Sequence, residues 1–142
     1  MSVLQMSIRD GYFPPADELY DKIMQIVKAA QKSPTNRHSD WINFKGTQLY
    51  ARATRRSLDS MDDIYSTIEV ASITLSVRIR GRKVFTDTIL ATFEKIGAET
   101  GRAVFIENVQ EERFKEFFRR IGYTEILFPG SRKEDPSNFY KK

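Results

Sequence analysis

The feature that most constrains the fold of this chain is a change of hydrophobic period along its length. From residue 47 to residue 57 apolar and polar residues roughly alternate, which is typical of a half-buried strand. After a turn at 60–63, residues 68–77 are rich in β-branched side chains and predict a second strand that pairs with the first. From residue 84 onward the apolar residues recur every three or four positions, which is the period of a helix.

The rest of the chain continues this alternation of strands and helices. Residues 103–106 predict a short strand, residues 110–121 a helix and residues 124–128 a last strand. Upstream, residues 16–31 predict a helix whose apolar stripe needs a sheet to cover. Strand, helix, strand, helix, strand is the order that gives a mixed β-sheet flanked by helices, so we predict an α/β (α+β) fold class.

The length of 142 residues is that of one ordinary domain. We place this domain at residues 1–130 and expect the polar segment 131–142 to be a loosely held tail. The loop that follows the first helix, residues 33–40, is polar enough to be mobile.

Composition excludes several classes of protein. The chain has no cysteine and a single histidine, His38, so thiolate chemistry is excluded and we expect no metal site. No apolar run approaches the roughly 18 residues of a membrane span, and the first residues lack the pattern of a secretory signal. We therefore expect a cytoplasmic protein with no membrane partner.

The positive net charge is concentrated in the middle of the sequence. Residues 41–83 contain eight basic and four acidic side chains, which accounts for the whole net charge of +4. Within them, Arg78–Lys83 is basic at four of six positions and is either a solvated loop or a site that attracts phosphates. A second basic stretch, Arg52, Arg55 and Arg56, either binds an acidic protein or nucleic acid or is a mixed polar face.

The strand at 68–77, the basic turn at 78–83 and the helix that begins at residue 84 together resemble the acyl-CoA-binding core of the GNAT acyltransferase superfamily. That family places a strand, a turn of the form Gln/Arg-x-x-Gly-x-Gly/Ala and a helix whose N-terminal amides hold the CoA pyrophosphate. The physics supports such a site, because a helix N-terminus offers unpaired N–H groups and a partial positive charge.

Downstream residues extend the resemblance. Val104-Phe105-Ile106-Glu107-Asn108-Val109 and the following segment, which ends in Gly122-Tyr123, are similar to the next strand and helix of the family. The resemblance covers roughly residues 47–128, and small GNAT-like proteins of tailed phages are similar as well.

The resemblance implies an acyl-CoA-dependent N-acyltransferase that transfers an acetyl group directly from acetyl-CoA, its substrate, to an unidentified amine acceptor. It also implies a homodimer as one compatible assembly, since such chains often dimerise. The residues that would hold the acyl-CoA are Ile73, Leu75, Val77, Arg80, Gly81, Arg82, Lys83, Val84 and Phe85.

Three residues depart from the family pattern. Lys83 and Phe85 stand where the family prefers glycines, and Phe118 stands where many members have a tyrosine that protonates the leaving thiolate. The side chains of Arg80, Arg82 and Lys83 could instead neutralise phosphate by charge-assisted hydrogen bonds. The departures also favour an alternative, a catalytically inactive GNAT-fold protein that binds a protein or nucleic acid through its basic face.

The candidate catalytic residues each have a second interpretation. Glu69 is either a general base for the acceptor amine or an outward-facing strand residue in water. Asn108 either hydrogen-bonds the pantetheine arm or the acceptor, or caps the helix that begins near residue 110. Asp62 and Asp63 could act as a base but more commonly cap a turn.

Two further groups of residues belong to these interpretations. Tyr123 occupies a position where the family packs an aromatic in its core. His38 and Trp41 lie in the polar loop where a family member reads its acceptor, or His38 faces solvent and Trp41 anchors the loop.

Overall fold

The computed structural model describes residues 17–44, 47–75, 85–127 and 130–142, and for residues 74, 75 and 85–87 only the backbone is described. The first helix, α1, spans Asp17–Lys32. Helix α2 spans Ala91–Thr100 and continues from a π-helical turn at Phe85–Leu90, and helix α3 spans Glu112–Arg120. The strands are β1 (His38–Phe44), β2 (Thr47–Ser57), β3 (Ile64–Leu75), β4 (Ala103–Val109), β5 (Thr124–Ile126) and β6 (Ser137–Lys141).

The described strands form one mixed sheet in the order β1-β2-β3-β4-β6-β5. Strands β1, β2 and β3 pair antiparallel, whereas β3 and β4 are parallel and are connected through α2. Strand β6 pairs antiparallel with both β4 and β5. This architecture confirms the predicted α/β fold class, a mixed sheet flanked by helices.

One face of the sheet carries the main hydrophobic core. Small and β-branched residues of β2 and β3, such as Ala51, Ala53 and Ile68, are fully buried there. Helices α1 and α2 pack their apolar stripes on this face, and α3 adds Phe118 to the same cluster. The prediction that the first helix packs its apolar stripe on a sheet is thereby confirmed. The buried residues of this stripe are Leu19, Ile23, Ile26, Val27 and Ala30.

The opposite face of the sheet holds a smaller apolar cluster together with charged side chains. Phe105 and Tyr140 are buried there, and the partly buried Tyr65 and Ile126 pack against them. No described helix contributes a side chain to this second cluster. The ion pairs of β2, β3 and β4 lie on the same face, because Glu69 is opposite Phe105 in the register.

Two strands were missed by the sequence analysis. Residues 38–44, part of which we expected to be a mobile loop, form β1, and residues 137–141, which we expected in a loosely held tail, form β6 in the interior of the sheet. Both predictions are wrong for these residues. The reason is that each strand is short and mostly polar, so its few buried side chains, Ile42 and Phe44 in β1 and Phe139 and Tyr140 in β6, give no clear alternation.

Candidate functional site

The parallel strands β3 and β4 separate before either of them ends. Their pairing runs from Thr67 opposite Ala103 to Val70 opposite Ile106. Strand β3 then continues to Leu75 and β4 to Val109, with no further pairing between them. The carboxyl ends of the two strands therefore leave a gap in the middle of the sheet, along which the backbone groups of β3 and β4 have no partner strand among the described residues.

A β-bulge marks the start of this gap. Val70 pairs with Ala51 and Ser72 with Tyr50, so Ala71 is one extra residue on β3 without a partner on β2. Bulges re-aim the residues that follow and are common beside active sites. In this chain the bulge reverses the alternation of faces, and Ile73 consequently packs against the main core.

The next helix begins at the same edge of the sheet as the gap. Its described part starts with the π-helical turn Phe85–Leu90, which follows the carboxyl end of β3 along the chain. The N-terminus of a helix attracts anions, π-helical turns are often found at functional sites, and ligands of open α/β sheets bind beyond the carboxyl ends of the strands. The gap and this helix terminus together form the candidate site.

Most of the predicted acyl-CoA residues lie outside the described residues. These are Val77, Arg80, Gly81, Arg82, Lys83 and Val84. Leu75 and Phe85 are described by their backbone alone, at the end of β3 and the start of the π-helical turn. The partly buried Ile73 directs its side chain into the core, so only its backbone is available to the gap.

Asn108 lies on the β4 side of the gap. Its backbone is left-handed, with φ of 62°, and its N–H donates to Oδ1 of Asn138 at 2.8 Å. Helix α3 begins at Glu112 and its N-cap residue is Glu111, so the interpretation of Asn108 as a helix cap is wrong. Its exposed side chain therefore remains a candidate for a contact with a ligand in the gap.

Glu69 is the most deeply buried acid of the second face. Its carboxylate accepts hydrogen bonds from Arg52 at 2.9 Å, from Arg56 at 2.8 Å and from the hydroxyl of Thr67 at 2.7 Å. The side chain is 0% exposed, so the interpretation of Glu69 as an outward residue in water is wrong. A carboxylate enclosed by two guanidinium groups is an anchor for those groups, because both of its oxygens are already engaged.

Glu107 is a second carboxylate on the same face, and the sequence analysis did not single it out. It directly follows Ile106, the last residue of β4 that pairs with β3, and its side chain is 34% exposed. Nη1 of Arg52 lies 3.5 Å from its Oε1. Its position after the last paired residue depends on where the strands separate, which no pattern in the sequence reveals.

Arg52 joins the two carboxylates. Burial favours the neutral form of its guanidinium, but the charges of Glu69 and Glu107 outweigh burial and raise the pKa of Arg52 above its ordinary value. The guanidinium is therefore a fixed positive charge between a buried and a half-exposed acid.

Two of the three arginines in the second basic stretch, Arg52, Arg55 and Arg56, form ion pairs within the protein. Arg52 and Arg56 both pair with Glu69, and the guanidinium of Arg56 also lies over the ring of Phe105, 4.1 Å from its centre. Only Arg55 of the three is exposed. Of the two interpretations of this stretch, the one in which all three arginines bind an acidic partner or nucleic acid is thus wrong for Arg52 and Arg56.

The aromatic residues around helix α3 are part of the core. Phe118 is buried and packs against Phe117, Tyr123 and Phe139. The buried Tyr123 donates its hydroxyl to Glu94 at 3.1 Å, and burial together with that carboxylate raises the pKa of the phenol far above its ordinary value. The prediction that Tyr123 packs in the core is confirmed.

The remaining sequence candidates lie away from the gap or at its margin. Asp62 and Asp63 are in the turn before β3, about 25 Å along the strand from the bulge at a rise of roughly 3.3 Å per residue. His38 and Trp41 are on strand β1, where Trp41 is 58% exposed and its ring lies 4.9 Å from that of Tyr50. The interpretation of Trp41 as the anchor of a loop is wrong, because it stands on a strand with its ring largely in solvent.

The described residues contain neither a candidate metal site nor a membrane-spanning helix. They contain no group of three or more histidine or carboxylate side chains that could hold a metal ion. Among the described helices none combines the length and apolarity needed to cross a membrane.

Comparison with known proteins identifies the fold. No protein-family model matches the chain, and no curated protein matches it. A solved structure from Agrobacterium tumefaciens, described as an acetyltransferase, is similar with a TM-score of 0.51 at 16% identity, over 88% of this chain and 90% of that one.

Two further solved structures are similar at lower scores. An acetyltransferase of the GNAT family from Listeria monocytogenes gives a TM-score of 0.42 at 10% identity, over 88% of this chain and 86% of that one. Arabidopsis thaliana Naa50, in complex with the bisubstrate analogue CoA-Ac-MVNAL, gives 0.42 at 11% identity, over 86% and 93%. At 16% identity, the likeness to the structure from Agrobacterium tumefaciens shows a shared fold alone: the chain has the mixed α/β fold of that structure.

Proposed function

We propose that this protein is an acyl-CoA-dependent N-acyltransferase that transfers an acetyl group from acetyl-CoA to an amine. The observation that carries the proposal is the gap between β3 and β4, which opens at the Ala71 bulge and lies at the same edge of the sheet as the start of the following helix. A GNAT fold alone would not support an activity, since folds host many functions.

The gap suits the pantetheine arm of acetyl-CoA. The arm is a narrow chain with two amide groups, and amides pair with the free edge of a strand as another strand would. Beyond Val70, β3 pairs with β2 on one side and has no described partner on the other. An arm lying along this edge would place the thioester near Ala71, between the ends of the two strands.

The helix that begins at Phe85 would hold the pyrophosphate end of the same molecule. Its terminal N–H groups and partial positive charge favour phosphate. The basic turn at 78–83 precedes it in the sequence, and Arg80, Arg82 and Lys83 supply the positive charge for charge-assisted hydrogen bonds.

Transfer within this site needs no covalent intermediate on the protein. The amine nitrogen attacks the thioester carbonyl carbon, the C–N bond forms, the C–S bond breaks and the thiolate leaves. Phe118 is buried in the core and has no proton to give, so we assign the protonation of the thiolate to solvent water. The contribution of the protein is then mainly to hold donor and acceptor in the reactive geometry.

Calorimetry of acetyl-CoA binding tests the proposal. We expect micromolar binding to the wild-type chain and its loss in the variant with Arg80→Ala, Arg82→Ala and Lys83→Ala. The matched control removes three exposed basic residues outside the basic turn, Lys28→Ala, Arg55→Ala and Arg120→Ala, and should leave binding unchanged. Absence of binding to the wild-type chain would favour a GNAT-fold protein that binds a macromolecular partner instead.

A further inference from the structure

We infer that Glu107 is the catalytic residue that binds the ammonium group of the acceptor and takes its proton. This inference rests on the proposed function. It differs from the sequence analysis, in which a general base was one of the two interpretations of Glu69, and it defines the acceptor as a primary amine that is protonated at neutral pH.

The position of Glu107 supports this role. It is the first residue of β4 beyond the paired region, so it lies where the sheet opens and where the thioester would lie. Its side chain is on the same face as Glu69 and is 34% exposed, so that an acceptor arriving from solvent on this face can reach its carboxylate. The left-handed backbone of the neighbouring Asn108 bends the strand at this point.

Glu69 cannot perform the same step. It is 0% exposed, and its two oxygens accept hydrogen bonds from two guanidinium groups and one hydroxyl. A substrate ammonium would have to displace a buried ion pair to reach it, which is strongly unfavourable. Among the described acids near the gap, Glu107 is therefore the one that combines access with a single, weak ion-pair partner.

Arg52 and Glu69 are positioning residues for Glu107. The contact between Arg52 and Glu107 is long at 3.5 Å, whereas that between Arg52 and Glu69 is 2.9 Å. The buried acid thus holds the guanidinium in place, and the guanidinium restrains the half-exposed carboxylate without occupying it. An approaching ammonium can bind the remaining acceptor positions of Glu107.

The proton balance of the transfer is simple. The ammonium gives one proton to the Glu107 carboxylate, which later releases it to solvent, and the neutral nitrogen attacks the thioester carbonyl. When the C–S bond breaks, the second proton leaves the nitrogen and the thiolate gains one through water. A carboxylate positioned near the amine suffices for this step. Such general-base assistance raises the reaction rate about 10²- to 10⁴-fold.

The test compares Glu107→Gln with the wild-type chain, using acetyl-CoA and three charged amines: spermidine, Nα-acetyl-lysine amide and a tetrapeptide with a free N-terminus. For the best of these amines we expect kcat/KM of the variant to fall about 100-fold at pH 7. Glu107→Asp should recover part of the loss. Glu111→Gln, which removes an exposed acid paired with Arg113, is the control and should behave as wild type.

Two readouts separate a base from a structural role. The deficit of Glu107→Gln should shrink to less than about 10-fold at pH 10, where a lysine-type amine with a pKa of about 10.4 begins to lose its own proton. The deficit in kcat/KM should also be small at pH 7 when the acceptor is an arylamine, because an arylamine is already neutral at that pH. A deficit that stays constant with pH would overturn the inference.

The remaining outcomes are also decisive. If wild-type chain binds acetyl-CoA and acetylates an amine, but Glu107→Gln does so equally well, the inference fails and the proposed function stands. If acetyl-CoA binds and none of the three amines is acetylated, the acceptor class is wrong. If acetyl-CoA does not bind at all, the proposed function fails and the inference fails with it.

Discussion

At the scale of single residues, the ion pairs of Glu69 explain why sequence alone misjudged this acid. The alternation of β3 places Glu69 on the face opposite the main core, and an acid on such a face is normally solvated. Its burial follows from Arg52, which is directly opposite it on the neighbouring strand, and from Arg56, four residues further along that strand, because both guanidinium groups reach its carboxylate. Cross-strand partners depend on register, and register is not visible in one strand at a time.

Replacing Glu69 by glutamine should strongly destabilise the fold. The change leaves two guanidinium groups without their carboxylate, and breaking a buried pair from one side costs about 3–5 kcal/mol. Urea unfolding measures the free energy, and Arg55→Gln, at an exposed position of β2, should change it by less than about 0.5 kcal/mol. A loss below about 1 kcal/mol for the glutamine variant would contradict the buried network.

Tyr123 gives a prediction about alkaline pH. Because burial and Glu94 raise the pKa of its phenol, the folded state keeps the proton after the unfolded chain has lost it at about pH 10. The contribution of this group to stability is therefore complete below pH 10 and decreases as pH rises above it. Urea midpoints of wild type and Tyr123→Phe, compared from pH 8 to pH 11, should converge with rising pH; a constant difference would rule this out.

At the scale of secondary-structure elements, the long periodic segments were predictable and the short polar ones were not. The predicted helix at 16–31 and strand at 47–57 agree with α1 and β2 to within one residue. These elements have several buried side chains at regular spacing, so the pattern identifies them. Strand β6 has only two large buried side chains and is held by pairing with β4 and β5, which is a tertiary property.

Strand β6 should be essential to the fold although it is polar and near the end of the chain. Phe139 is 0% exposed and its ring stacks on that of Phe118. Replacing Phe139 by alanine removes this packing and should lower the free energy of unfolding by about 3–5 kcal/mol. Lys141→Ala on the same strand is exposed and should cost less than about 0.5 kcal/mol, so equal effects of the two changes in urea unfolding would contradict the placement of β6.

At the scale of the whole molecule, the location of the site follows from topology. The parallel pair β3 and β4 is flanked by antiparallel strands. A helix connects the two parallel strands, and it begins at the edge of the sheet where both of them end. The order of elements in the sequence could predict this edge. The separation of the strands at Val70 and Ile106, and with it the importance of Glu107, required the register of the folded sheet.

If the gap and the helix terminus bind acetyl-CoA, the ligand should stabilise the entire domain. A ligand that binds only the folded state at 100 times its Kd adds about 2.7 kcal/mol, which for a chain of this size raises Tm by about 10 °C. Thermal unfolding with and without acetyl-CoA should show this rise in wild type and in the Lys28, Arg55 and Arg120 control, and not in the Arg80, Arg82 and Lys83 variant. Glu107→Gln should retain the full rise, because its carboxylate serves the acceptor. An equal rise in all four proteins would place the acyl-CoA site elsewhere, since the basic turn would then contribute nothing to binding.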